Sequence, residues 1–170
     1  LEDAEQPGLG LDRQAAGYDA QWARMAPIRE SLHFLLETVF ADLPPHARVL
    51  CVGVGTGAEL AHLARRFTGW RFLALDPSQA MVGACRARAG REGIAHRCRF
   101  HAGTLDTLPD DAPFDGATCL LVSQFFLDPG ARTDFFASIA RRLRPGGTFA
   151  WADLAWDPAA PDFDAMLAFW

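Results

Sequence analysis

The sequence contains no lysine, so its positive charge comes from arginine alone. Its 16 basic residues are outnumbered by 21 acidic ones, which gives a formal net charge of −5 at pH 7. Proteins that mainly hold a nucleic-acid backbone usually carry a basic surface, so we expect no nucleic-acid partner. Arg141, Arg142 and Arg144 lie close together, and their spacing is interpreted as a solvated helix face.

Long hydrophobic runs are also absent. No apolar run reaches the roughly 18 residues that a membrane-spanning helix needs, and no signal-peptide pattern opens the chain. We therefore expect no membrane partner and a cytoplasmic location. The four cysteines include no C-x-x-C pair and no zinc-ligand spacing, so we expect buried free thiols and no metal site.

What the 170 residues do contain is a regular alternation of strand-like and helix-like segments. The first 45 residues are interpreted as a tail and a helical cap, and residues 46–170 as one core domain. Short apolar runs predict strands at 48–53, 71–75, 98–102, 117–122 and 147–154. The alternation predicts an α/β fold, Rossmann-like, with a mostly parallel sheet and helices on both faces.

Two features at the predicted strand ends point to a cofactor that contains adenosine. The first strand runs into Gly53-Val54-Gly55-Thr56-Gly57, a turn that lets the backbone approach a ligand closely and precedes a helix N-terminus. Asp76 ends the second strand, where an acid can accept hydrogen bonds from both ribose hydroxyls. The glycine turn could instead be purely structural, and Asp76 could instead be an acid that offsets the dipole of the following helix.

These features leave the cofactor open, because residues 53–58 also satisfy the dinucleotide pattern G-x-G-x-x-G/A. A nicotinamide-dependent oxidoreductase is therefore one alternative. The turn lies behind about 45 residues of helical sequence, and too little chain follows for a second mononucleotide half and a substrate domain. Both points favour a different adenosine cofactor.

The order of motifs resembles that of class I S-adenosylmethionine-dependent methyltransferases. The similar segments are VLCVGVGTG, LDPSQAMV, FHAGTLDTLP, FDGATCLLVSQFF and LRPGGTFAWADL, and they span Val49 to Leu154. The resemblance implies binding of S-adenosylmethionine and methyl transfer to an acceptor, by default a small molecule. A non-catalytic protein that binds this cofactor is a further alternative.

The resemblance also implies which residues bind the cofactor. The methionine part would lie against the glycine turn, and Asp76 would hold the ribose. Pro77 and Met81 would contact the adenine, Thr104 and Leu105 its edge, and Tyr18 would close over the cofactor. The full predicted set is Tyr18, Gly53, Val54, Gly55, Gly57, Asp76, Pro77, Met81, Thr104, Leu105 and Leu120, with Leu120 to Val122 near the sulfonium.

Two positions depart from the family pattern. Cys51 stands where the family usually has an acid that helps hold the cofactor's amino group, and Thr104 stands where an Asp often faces the adenine. Both departures put these contacts in question.

Methyl transfer from a sulfonium requires positioning more than it requires an acid or a base. No catalytic residue is therefore required, and Gln124, Ser123, Tyr18 and Trp22 are only candidates for orienting the acceptor. Ser123 and Gln124 have a structural alternative, the satisfaction of backbone groups at a strand end.

Two further expectations concern the end of the chain. The stretch SQFFLDP is similar to the strand-four region of carboxy-S-adenosylmethionine synthases. The resemblance also implies two more strands beyond the helix predicted to begin near Pro161. An open sheet edge tends to pair with another chain, so we expect either further residues or a homodimer to complete the sheet.

Overall fold

A computed structural model describes residues 17–21, 23–109, 113–154 and 160–161. The helices are α1 (Tyr18–Gln21), α2 (Ala26–Val39), α3 (Ala58–Arg66), α4 (Gln79–Arg91) and α5 (Pro129–Ala140). The strands are β1 (Arg48–Val52), β2 (Arg71–Asp76), β3 (Cys98–Ala102), β4 (Phe114–Leu120) and β5 (Leu143–Ala152). Short 3₁₀ turns lie at Ala23–Met25, Ala95–Arg97, Leu105–Thr107 and Ser123–Phe125.

The five strands form one parallel sheet in the order β3-β2-β1-β4-β5. Strand order reverses between β1 and β4, which is the point where such sheets bind ligands at their carboxyl ends. The predicted Rossmann-like α/β fold is therefore confirmed.

Alternating side chains of β1 divide the interior between the two faces of the sheet. Val49 and Cys51 belong to a core cluster that includes residues of α2, α3 and α4. Leu50 and Val52 belong to a second cluster that includes Ile139 of α5 and Leu105. Helices thus cover both faces. Helix α2 contributes Leu36 to the first cluster, so it packs on the core. The boundary predicted at residue 45, between the helical cap and the core domain, stays a prediction.

The predicted boundaries of β4 and β5 were wrong. Strand β4 ends at Leu120 because Leu121 takes a left-handed backbone, φ 59°, which leaves the strand conformation. Strand β5 begins at Leu143, which pairs with Phe114 ahead of the Pro-Gly-Gly segment, and a register irregularity separates that pair from the next. Proline is tolerated at such irregularities and on edge strands.

The arginines that follow α5 are not simply a solvated helix face. Arg142 lies between α5 and β5, and its Nη2 donates to the backbone oxygen of Leu105 at 2.6 Å. Arg144 Nε donates to Asp115 Oδ1 at 2.6 Å, beside the irregular part of β4. The prediction was wrong for these two because the helix ends at Ala140, which turns their side chains towards neighbouring elements.

The prediction of buried free thiols is confirmed for three of the four cysteines. All four thiols are free, with Cys51, Cys85 and Cys119 buried and Cys98 partly buried. No group of three His, Cys, Asp or Glu side chains within the described ranges could hold a metal ion. No helix in the part of the chain that the structure describes has both the length and the apolar character to cross a bilayer.

Candidate cofactor site

The predicted site residues gather where the parallel strands end. The glycine turn follows β1, Asp76 ends β2, the Thr104–Leu105 segment follows β3, and Leu120 ends β4. Parallel strands bring these ends to one edge of the sheet. The sheet order therefore places these four segments at one edge.

The glycine turn needs glycine for two different reasons. Gly53 has φ 66°, and a Cβ built on it would lie 2.2 Å from Val122 Cγ2, so the backbone there packs against the end of β4. Gly55 has φ 53°, and a Cβ on it would meet no atom within 4 Å. Gly57 then forms the N-cap of α3 with φ 81°. The turn is packed at Gly53 and open at Gly55, as expected for backbone that a ligand approaches.

Asp76 ties the turn to the end of β2. It is only 4% exposed, and its Oδ2 accepts a hydrogen bond from the Gly55 N–H at 2.9 Å. Its Oδ1 accepts from the Ser78 N–H, also at 2.9 Å. The carboxylate therefore has a structural function in shaping the turn. Ribose binding by Asp76, which the resemblance implies, stays a prediction.

Helix α4 begins with a side-chain cap. Ser78 is the N-cap, and its Oγ accepts from the Met81 N–H at 3.1 Å. Pro77 is exposed, whereas Met81 is 1% exposed and packs in the interior. Their contact with adenine stays a prediction, and it would require the ring to reach the buried Met81 side chain.

The segment after β3 is held by its own side chains. Thr104 is exposed and forms a reciprocal capping pair with Thr107, whose Oγ1 accepts from the Thr104 N–H at 3.1 Å. Leu105 is 5% exposed and packs in the second core cluster. The adenine contacts predicted for Thr104 and Leu105 stay predictions.

The end of β4 is joined to the end of β5 by side chains. Gln124 Oε1 accepts a hydrogen bond from the Leu154 N–H at 3.0 Å, and Ser123 Oγ donates to Asp153 Oδ2. These contacts match the structural alternative for both residues. The acceptor-orienting role suggested for Gln124 stays a prediction. Because its Oε1 already accepts from Leu154, its side-chain NH₂ would have to contact the acceptor.

Leu121 lies between these contacts and the strand. Its left-handed φ is the one positive φ at a non-glycine position among the described residues. Its N–H donates to the Ala152 oxygen at 2.7 Å, which fixes the turn. Non-glycine residues in this conformation are uncommon and often mark functional sites.

Sequence reasoning missed two acids at this edge. Asp153 follows β5, and its Oδ1 is buried without a hydrogen-bond partner among the described residues. Glu59, in the first turn of α3, is 7% exposed. Asp153 carries no local signal beyond its position after a strand. Glu59 directly precedes a stretch in which Leu60, Ala61, Leu63 and Ala64 are buried, and that pattern could have marked it as buried.

The cap residues are only partly described. Tyr18 is partly buried on α1, and its predicted role over the cofactor stays a prediction. Trp22, suggested as an acceptor contact, lies outside the described residues, as does most of the helix predicted from Pro161 onward.

The arrangement fits an adenosine cofactor in two respects. A Cβ on Gly55 would meet no atom of the described residues within 4 Å, so the backbone there can be approached closely, and a buried acid ends the neighbouring strand. Fold and site together define a Rossmann-like protein whose candidate ligand site lies at the β1–β4 switch point.

Comparison with known proteins narrows this class. The family model described as a methyltransferase domain matches residues 49–147, which is more than half of the chain. The chain belongs to the class I S-adenosylmethionine-dependent methyltransferase family. This membership decides between the two adenosine cofactors that the sequence pattern left open.

Three similar proteins illustrate the range of the family. A fatty-acid O-methyltransferase of Mycolicibacterium smegmatis is 35% identical over 123 residues, which cover 71% of this chain and 42% of that protein. A tRNA (guanine-N(7)-)-methyltransferase of Shewanella baltica is 28% identical over 149 residues, covering 80% and 60%. A methyltransferase from Geobacter sulfurreducens, solved with S-adenosylhomocysteine, has a TM-score of 0.64 and 26% identity, covering 81% and 53%.

The chain spans less than two thirds of the length of each of these proteins. Two of them are named for acceptors as different as a fatty acid and a tRNA, so family membership does not fix the acceptor class. The similarity to carboxy-S-adenosylmethionine synthases, the homodimer and the cytoplasmic location all stay predictions.

Proposed function

We propose that the protein transfers the methyl group of S-adenosylmethionine to a small-molecule acceptor. The observation that carries the proposal is the open glycine turn tied to the buried Asp76, in a chain of the methyltransferase family. The bound cofactor supplies a methyl group on a sulfonium, which is already a reactive centre. The protein's own residues then have to bind, orient and exclude water.

The residues that would hold the cofactor are those of the turn and of the two neighbouring strand ends. The backbone at Gly53 and Gly55 would lie along the methionine part, and Asp76 would accept hydrogen bonds from the ribose hydroxyls. Because Asp76 accepts a hydrogen bond from Gly55, the same carboxylate shapes the turn and would bind the sugar. The position of the carboxylate relative to the turn is set before the cofactor arrives, which lowers the cost of ordering the site.

Asp153 supports an acceptor site at the ends of β4 and β5. One of its oxygens accepts from Ser123, and the other is buried without a partner. A buried acceptor atom without a partner is costly, and an acceptor molecule with an O–H or N–H group would satisfy it. Asp153 would then orient the nucleophile and take its proton where the reaction releases one. A single buried oxygen suits a compact hydroxyl- or amine-bearing molecule.

Calorimetric titration tests the cofactor part of the proposal. We expect S-adenosylhomocysteine to bind with micromolar affinity, and NAD and NADP not to bind. Asp76→Asn keeps the shape of the side chain but removes its charge, so it should weaken binding at least tenfold, since hydrogen bonds to charged groups contribute about 1.5–3 kcal/mol. Asp42→Asn, at an exposed acid outside the site, is the matched control. Binding of a nicotinamide instead would contradict the proposal.

The acceptor is tested with methyl-labelled S-adenosylmethionine. We expect label in a hydroxyl- or amine-bearing small molecule, and Asp153→Asn should lower kcat while leaving the affinity for S-adenosylhomocysteine unchanged. Label in tRNA would contradict the small-molecule part. Binding of the cofactor with no label in any acceptor would favour the non-catalytic alternative.

A further inference from the structure

A buried carboxyl group lies beside the glycine turn and has no place in the contacts described so far. Glu59 is the second residue of α3, two positions after the N-cap Gly57, and it is 7% exposed. Its Oε1 accepts a hydrogen bond from Thr118 Oγ1 at 2.5 Å. Thr118 is fully buried on β4 and is the register partner of Cys51 on β1. The carboxyl group therefore lies over β1 and β4, close to their carboxyl ends.

The side chains that surround Glu59 are neutral. Cys51 on β1, Cys85 on α4 and Cys119 on β4 all feel its charge, and burial raises the pKa of each of these thiols, so they stay protonated. The neighbouring cation of α4, Arg88, donates to the backbone oxygen of Thr56 at 2.9 Å. Among the described residues no arginine or histidine forms an ion pair with Glu59.

Ionising such a buried carboxyl group costs a large amount of free energy when no counter-charge pairs with it. Burial raises the pKa of Glu59 to about 7, while the hydrogen bond from Thr118 acts in the opposite direction. An acid of this kind, beside a ligand turn, is a common feature of functional sites. No cation among the described residues forms an ion pair with this carboxyl group, and the proposed cofactor carries a cation on its methionine part.

We propose that Glu59 is the anionic partner of the cofactor's α-ammonium group. The proposal rests on S-adenosylmethionine binding and adds to it the residue that recognises the amino group. In the family pattern an acid is usual at position 51, where this chain has a cysteine. Glu59 places a carboxyl group next to that thiol from α3, and Thr118 orients it from β4.

The proton balance of this step follows from the two groups. Before binding, Glu59 is partly protonated near neutral pH, and the ligand amine is an ammonium. On binding, the carboxyl proton leaves to solvent and the carboxylate pairs with the ammonium. No bond to carbon forms or breaks. Binding of S-adenosylhomocysteine, which has the same ammonium, should therefore release protons below about pH 7 and should tighten as the pH rises.

The first test uses the wild-type protein and two ligands. S-adenosylhomocysteine is compared with its desamino analogue, in which hydrogen replaces the amino group. From pH 6 to pH 8 the affinity for S-adenosylhomocysteine should rise about tenfold, as a carboxyl group titrating near 7 requires, and that for the analogue should stay constant. Titration in buffers of different ionisation enthalpy at pH 6.5 should show proton release with S-adenosylhomocysteine only.

The second test removes the charge and then restores it from the neighbouring strand. Glu59→Gln keeps an oxygen for Thr118, so it should lower the affinity for S-adenosylhomocysteine at pH 8 at least tenfold and leave that for the analogue unchanged. Adding Cys51→Asp to this variant should restore the preference for the amino group. Glu30→Gln, at an exposed position of α2, is the matched control and should change neither affinity.

The outcomes separate this proposal from the one on which it rests. If wild type binds both ligands equally well at every pH, or if Glu59→Gln keeps the full preference and the proton release, Glu59 is a structural residue and the proposal is overturned. If wild type binds neither ligand, the cofactor assignment fails as well. Because the wild-type measurements need no variant, poor folding of Glu59→Gln would not prevent the decision.

Discussion

At the scale of single residues, Gly53 and Gly55 share a left-handed backbone but differ in their surroundings. Gly53 faces Val122 at the end of β4, whereas Gly55 faces open space. The two positions therefore separate the structural function of the turn from its binding function. The sequence predicted that both glycines belong to a ligand turn, but it could not show which of them the fold itself requires.

Alanine substitutions should reveal this difference. Gly53→Ala combines backbone strain with a clash against Val122 and should lower the free energy of unfolding by about 2–4 kcal/mol. Gly55→Ala carries only the strain and should cost about 1–2 kcal/mol. Urea denaturation measures both values.

For binding of S-adenosylhomocysteine, we expect the larger effect at Gly55 rather than at Gly53. A methyl group at Gly55 would project into the space assigned to the cofactor, so Gly55→Ala should weaken S-adenosylhomocysteine binding more than its loss of stability suggests. Adding Val122→Ala to Gly53→Ala should recover the part of the stability lost to the clash. Equal stability losses at the two glycines would show that the contact with Val122 relaxes freely.

At the scale of elements, α2 and α3 meet through a pair of histidines. His33 of α2 is 8% exposed and stacks on His62 of α3, with ring centroids 4.6 Å apart. His62 Nε2 in turn lies 2.7 Å from Glu37 Oε1. His33 is buried and His62 is partly buried, so the two rings pack between the helices.

This contact makes the interface sensitive to acid. Burial, and then the charges of His62 and nearby arginines, lowers the pKa of His33 from 6.5 to about 4. The unfolded chain takes up a proton on this histidine near pH 6.5 and the folded chain only near pH 4. The stability it contributes is therefore complete above pH 6.5 and is lost as the pH falls to 4.

The predicted loss is on the order of 3 kcal/mol between pH 6.5 and pH 4. Glu59 acts in the opposite direction, since its raised pKa removes stability as the pH rises from 4.5 to about 7. The difference between wild type and His33→Gln isolates the histidine. In denaturation curves, wild type should lose stability relative to His33→Gln as the pH falls from 6.5 to 4. His96→Gln, at an exposed histidine, should follow wild type at every pH.

At the scale of the whole molecule, the reactivity of the four thiols measures how well the core excludes solvent. Burial raises the pKa of Cys98 to about 11 and that of Cys85 to about 12, and it raises those of Cys51 and Cys119 as well. The thiolate is the reactive form, so all four should react slowly in the native protein.

Alkylation followed by mass spectrometry should therefore order the cysteines. At pH 8 the partly buried Cys98 should be modified first, and Cys51, Cys85 and Cys119 should be modified only as the molecule unfolds. In guanidinium all four should react at one common rate. Rapid native labelling of Cys51 would show that the edge of the sheet beside the glycine turn opens locally.

The sequence by itself determined the elements and the chemical class of the site. Strand and helix periodicities, the N-cap Ser78, the glycine turn and Asp76 are local signals, because each depends on residues close together in the chain. The predicted ends of β4 and β5 failed for the same reason. The left-handed Leu121 and the pairing of Leu143 with Phe114 depend on contacts between strands, which no local pattern encodes.

Only the tertiary structure decided what surrounds the site. Glu59 meets Thr118 across 59 positions, and Ser123 meets Asp153 across 30, because the sheet order sets β4 between β1 and β5. These contacts link two strand ends through Gln124 and Ser123, whose acceptor-orienting role stays a prediction, and they brought two unpredicted acids to the candidate site. The physical reason is that burial and pairing of a charge depend on the folded neighbourhood, whereas the glycine turn is encoded by consecutive residues.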